Sequence, residues 1–116
     1  MQRKATKTTR GANSAEKEFQ GWLKNQECCI TGEHGVQVHH CKGSTFKHNK
    51  VLIGHWYCLP LSPDKHAEYH AGTKSFQAKY GSQAELWLEC YHSGWFGDHE
   101  PPNDVFLAIC DLAGKL

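Results

Sequence analysis

The chain has 116 residues, of which 39% are hydrophobic, and its 13 basic and 12 acidic side chains leave a net charge of +1. That length suits one small domain with a modest core and leaves no room for a second. No apolar run approaches a membrane span, and no basic-then-apolar leader with a small-residue cleavage site is evident, so the expectation is a soluble, cytoplasmic protein with no membrane partner.

Residues 1–13 are polar and basic, with Arg3, Lys4, Lys7 and Arg10 and no acid among them. They have no apolar face to bury, so a flexible basic tail is expected there, with the domain proper over residues 14–116. From Ser14, read as an N-cap, AEKEFQGWLKNQ places Ala15, Phe19, Trp22 and Leu23 at helical spacing, which predicts a helix with an aromatic stripe on the core. CCITGEHG reads as a turn, with Gly32 and Gly35 available for positive φ. Val36 and Val38 then alternate with Gln37 and His39, a strand pattern leading into the pair His39 and His40. Residues 42–50 form a basic loop carrying Lys42, Lys47 and Lys50. VLIGHWYCLPL is apolar enough for a second strand, stopped by Pro60 and Pro63.

Pro63 and Asp64 mark a helix start, with the acid in the first turn where the backbone dipole favours it. Gly72 interrupts that helix. TKSFQAKYGSQAELWLECYH predicts one or two further helical turns broken near Gly81. GWFGDHEPP is a loop, and Asn103 to Leu112 closes the chain as a short helix with Val105, Phe106, Leu107 and Ile109 for the core. From Ser82 onward there are six acids and one lysine. A basic front and an acidic back suit a protein that offers one side to a phosphate backbone, although a basic amino-terminus also serves simply as a solubilising tail. Strand, basic loop, strand and helix make a ββα unit over about residues 36–72, flanked by helices, so the fold class is α+β.

Six cysteines, at 28, 29, 41, 58, 90 and 110, read in a reducing cytosol as free core thiols or metal ligands. Seven of the nine histidines fall between His34 and His70. His66 and His70 are four apart and share a helical face. Adjacent residues of a regular strand point to opposite faces, so His39 and His40 divide naturally into one ligand and one base. Neutral imidazoles bind zinc and other borderline metals, and three of them leave positions open for water or substrate. Phosphodiester hydrolysis needs a base for the attacking water and a cation near the scissile phosphate. Taken singly, a histidine pair more often faces solvent than carries out catalysis; the ordered combination is what points to a metal. Glu68 in HAEYH follows the first histidine by two positions, not one as in zinc proteases, and so turns away from the ligands.

VHH, a strand ending LPL, and a proline turn into HAEYH resemble the HNH or His-Me finger endonucleases, whose active site is a ββα-metal unit. FQAKYGSQAEL and the AEKEF start are similar to the Ref type of phage recombination-enhancement proteins, small HNH nucleases that act with the RecA filament. The resemblance covers about Ala15 to Leu88. It implies a metal-dependent DNA endonuclease with His39, His66 and His70 as ligands to one divalent ion (Zn, Mg, Mn or Ni) and His40 as general base. It implies DNA as partner, a RecA filament on single-stranded DNA as a further one, and the host-cell cytoplasm as the compartment of a phage-encoded protein. The asparagine that orients the base in that family has no clear counterpart; His55 and Tyr57 are the candidates near its place. The family's four-cysteine zinc knuckle would need C-x-x-C pairs where this chain has Cys28 with Thr31 and Ser62 with Lys65, so the knuckle is expected to be lost, with Cys28, Cys29, Cys41 and Cys58 packed as small hydrophobes. A zinc site rearranged around Cys41 or Cys58 is the variant of that expectation. Lys42, Lys47 and Lys50 would bind flanking phosphates. Two other readings stand beside the nuclease: a non-catalytic, metal-stabilised nucleic-acid-binding module, and a helical accessory protein with no metal.

Overall fold

Among the described residues these helices and strands follow one another in chain order: α1 (Ser14–Leu23), β1 (Gln37–His40), β2 (Lys47–His48), β3 (Val51–Leu52), β4 (Cys58–Leu61), α2 (Pro63–Ala71), α3 (Thr73–Tyr80), α4 (Gln83–His92) and α5 (Asn103–Leu112). They belong to a computed structural model that describes residues 12–41, 47–48 and 51–114. The class is α+β, five helices around small antiparallel strand pairs. β1 pairs with β4 in the register Gln37↔Leu61, Val38↔Pro60, His39↔Leu59 and His40↔Cys58. The Pro60 carbonyl, on the far edge of β4, accepts from the Cys29 N–H at 3.1 Å, which ties the turn after α1 to the sheet. β2 and β3 form a separate short ribbon.

The apolar run 51–61 is therefore not one strand. Gly54 takes φ +73, and a 3-10 turn, Gly54–Trp56, separates the part that pairs with β2 from the part that pairs with β1. Hydrophobicity marks the run as buried but says nothing of where its pairing partner changes. Similarly, the segment after Gly72 forms two helices, not isolated turns. Gly81 at φ +99 breaks the path, and Ser82 restarts it with a capping box in which Ser82 accepts from the Glu85 N–H and Glu85 accepts from the Ser82 N–H.

Helix α1 is capped by Asn13, not Ser14. The Asn13 side chain accepts from the Glu16 N–H at 2.8 Å, and Glu16 Oε1 accepts from the Asn13 N–H at 2.9 Å. The buried stripe of α1 is Glu16, Phe19 and Leu23, whereas Ala15 is exposed and Trp22 lies on the surface at 38%. Trp22 covers Gly97 and donates its indole N–H to the Trp95 carbonyl. A charged residue, Glu16, joins Phe19 and Leu23 on the inner face, where spacing had placed Ala15 and Trp22 with them. Glu16 is fully buried because both oxygens are used: Oε2 accepts from the His55 N–H at 2.9 Å, so one carboxylate joins the start of α1 to the 3-10 turn.

The core centres on Trp87, Phe19, Phe76 and Phe96, with Phe19 against Phe96 edge-on at 4.9 Å and the Trp87 indole N–H on the Trp56 carbonyl at 2.8 Å. In α5, Val105 and Ile109 are buried as expected, but Leu107 is exposed and Ala108 and Cys110 take the inner face with them. Cys28, Cys41 and Cys58 are buried and Cys29 half-buried, all as free thiols. Cys28 Sγ accepts from the Ile30 and Thr31 N–H groups at 3.4 and 3.5 Å. Of the expected basic tail, residues 1–11 lie outside the described residues.

Glu16→Ala leaves the His55 N–H without its acceptor, and a chemical-denaturation experiment should show a loss of about 1–3 kcal/mol. Glu16→Gln, which keeps one carbonyl oxygen, should lose less.

Candidate metal centre

Regular pleating of β1 separates the two adjacent histidines. His39 is 3% exposed and faces α2 and α4, while His40 is exposed on the other face toward α1. Helix α2 begins at Pro63, its first turn capped by Ser62, whose side chain accepts from the Lys65 N–H. The 3.6-residue period then puts half-buried His66 and exposed His70 on the side facing β1. The His39 ring lies 5.0 Å from His66 and 5.7 Å from His70, and those two are 4.9 Å apart, centroid to centroid. One ring nitrogen from each lies within 4.8 Å of the others. Among the described residues this is the group of three or more donor side chains close enough to share an ion.

Two glutamines set the direction of this cluster. Gln83 Oε1, at the start of α4, accepts from His39 Nε2–H at 2.8 Å, which leaves the lone pair on Nδ1. Gln37 Oε1, on β1, accepts from His66 Nδ1–H at 2.7 Å, which leaves the lone pair on Nε2. Each amide oxygen thus selects a tautomer whose free nitrogen is available to a cation. Burial, reinforced by neighbouring His66, His70 and His40, pushes the His39 pKa down to about 4 against the opposing pull of Gln83. Burial and His70 lower His66 as well. Both rings are therefore neutral at physiological pH, the form in which imidazole binds a metal. Three imidazole nitrogens with an exposed side suit an open site for a borderline divalent cation. Tyr69, its ring 4.7 Å from that of His39, walls the inner side.

Glu68, between the two helical histidines, pairs with Lys65 at 2.8 Å and Lys79 at 3.5 Å and points away from the cluster. On the opposite face of β1, the His40 ring stands perpendicular to His55 at 5.6 Å, and its Nε2 is 3.3 Å from the side-chain nitrogen of Gln20 in α1. Burial and then His55 lower the His40 pKa. Tyr57, the other residue weighed beside His40, is buried with its phenol near Cys41 and Tyr69. Lys42, Lys50 and the side chain of Lys47 lie outside the described residues. Gln83, Gln37 and Gln20 were not among the sequence-derived site residues. Gln37 had a usable signal, since it shares a strand face with His39; Gln83 and Gln20 reach their histidines from 44 and 20 residues away, and no spacing rule finds them.

Residues 5–94 match the family described as Protein of unknown function (DUF968). The chain belongs to that family. The match takes in every histidine of the cluster as well as His40, and it ends before α5. In Escherichia coli (strain K12), the protein named Uncharacterized protein YdfU is 32% identical over 71 residues, 61% of this chain and 20% of that protein. The DUF968 chain thus spans about a fifth of that relative's length. No solved structure matches it.

Titration calorimetry with zinc should give one site per chain. His39→Ala, His66→Ala and His70→Ala should each weaken it at least tenfold, whereas Gln83→Leu, which frees the His39 tautomer, should weaken it about 10–100-fold without removing a ligand.

Proposed function

We propose that this chain is a metal-dependent DNA endonuclease of the HNH, His-Me finger type. The observation that carries the reading is the convergence of His39 from a strand with His66 and His70 from the following helix, while the adjacent His40 stands free of the cluster on the other face of the same strand. His39 Nδ1, His66 Nε2 and a nitrogen of His70 would hold one divalent ion. That ion, when bound, supplies Lewis-acid stabilisation for the charge developing on the phosphate and the leaving oxygen.

The remaining chemistry falls to the chain's own groups. His40, with its pKa lowered, is neutral near pH 7 and takes a proton from the attacking water. The water oxygen forms the new bond to phosphorus as the phosphorus–oxygen ester bond breaks, and the departing alkoxide is protonated from solvent. Lys42, Lys47 and Lys50, in the segment between β1 and β3, supply cations for the flanking phosphates and give an affinity that falls with salt. The resemblance to the recombination-enhancement nucleases makes single-stranded DNA coated with RecA the substrate form to compare with naked plasmid.

The competing reading is a nucleic-acid-binding module whose metal only holds the fold together. The exposure of His70 and the three-nitrogen donor set favour an open site over a closed structural one. The deciding experiment is nicking of supercoiled plasmid across divalent metals. His40→Ala should lower cleavage at least a hundredfold while zinc content and thermal stability stay at wild-type values; cleavage unchanged in that variant removes His40 as the base, and DNA binding with no cleavage by any metal-loaded form supports the module.

A further inference from the structure

A base that accepts a proton in the transition state needs its ring held, and the sequence between Gly54 and Tyr57 offers no amide for that task. The structure supplies one from a different element. Gln20 is half-buried on α1, and its side-chain nitrogen lies 3.3 Å from His40 Nε2. The thiol of Cys58, the cross-strand partner of His40, donates to the His55 carbonyl at 3.2 Å. Helix α1 is itself immobilised at this level. Glu16, one turn before Gln20 on the same face, is fully buried and binds the Asn13 and His55 N–H groups with its two oxygens. His55 in turn stands perpendicular to the His40 ring at 5.6 Å. Two groups borne or anchored by α1 therefore meet His40, one at Nε2 and one against its ring.

We infer that Gln20 is the positioning residue for His40, its amide oxygen accepting from Nε2–H so that Nδ1 keeps the lone pair that takes the proton. This rests on reading His40 as the general base. A half-turn about Cγ–Cδ exchanges the amide's nitrogen and oxygen without disturbing the contact, and the two arrangements have opposite consequences. With the NH₂ group toward the ring, Nε2 is capped and Nδ1 carries the hydrogen, so the ring has no free acceptor. With the oxygen toward the ring, Nε2 carries the hydrogen and Nδ1 is free. Only the second is compatible with a base. Glu16 acts through the backbone of His55 and keeps α1 at the distance this contact requires.

The test pairs a spectroscopic signature with kinetics, using the full chain loaded with zinc. Long-range ¹⁵N NMR of the imidazoles should show His40 predominantly as the Nε2–H tautomer in wild type and in Gln20→Glu, where a carboxylate oxygen replaces the amide oxygen, and as a mixture in Gln20→Leu. For plasmid nicking, Gln20→Leu should lower kcat about 10–100-fold with KM for DNA and zinc stoichiometry unchanged. Gln20→Glu, which keeps an oxygen acceptor for Nε2–H, should lose clearly less than Gln20→Leu. A His40 tautomer that is the same in Gln20→Leu as in wild type overturns the inference, as does equal loss of kcat in the Glu and Leu variants. Should wild type fail to nick any substrate, the nuclease reading fails, while the NMR result still decides whether Gln20 orients His40.

Discussion

The pairing of β1 with β4 is the constraint on which the rest of the site depends. Its register sets His39 opposite Leu59 and His40 opposite Cys58. A strand has a side-chain period of two, so a slip of one residue would exchange the faces of the two histidines and put an exposed imidazole where the buried one belongs. Leu59 and Leu61, opposite His39 and Gln37, are fully buried, and so are Cys58 and Pro60 on the other face of β4. The carboxyl end of β4 then feeds directly into α2 through Ser62 and Pro63, so the same register fixes where His66 and His70 arrive.

Polar groups around this pairing perform orientation that an apolar core does not. Gln83 and Gln37 each accept from one ring nitrogen and so decide which nitrogen faces the cluster. Glu16 accepts from two backbone amides and joins the first helix to the turn that carries His55. An unpaired buried carboxylate would be costly, and here both oxygens are satisfied, which lets a charge occupy a core position among Phe19 and Leu23. The two faces of β1 thereby have different supports, α2 and α4 behind His39, and α1 behind His40.

Much of this was legible in the residues themselves. The ends of α5, the proline start of α2 and the alternation around His39 follow from local chemistry that has few rivals: a fixed proline φ and a two-residue period. The helical spacing of His66 and His70 and the strand position of His39 were enough to foresee their meeting. What escaped were the places where tertiary contact outweighs local pattern. Glu16 reads as a solvent-facing charge until His55 is brought to it, and Trp22 reads as core until Glu16 takes the inward stripe. The run from Val51 to Leu61 is uniformly apolar, and hydropathy does not record that Gly54 turns it from one strand partner to another. Gln20 and Gln83 are ordinary helix residues whose importance exists only across the fold.

We propose that His39, His66 and His70 of this chain form an open metal site with defined ligand atoms. Anomalous diffraction at the zinc edge from a zinc-loaded crystal tests it most directly. A single strong peak about 2.0–2.1 Å from His39 Nδ1, His66 Nε2 and one nitrogen of His70, with solvent completing the shell, is the expected result. A peak ligated by Cys41 or Cys58, or a fourth protein ligand closing the shell at the histidines, would contradict it.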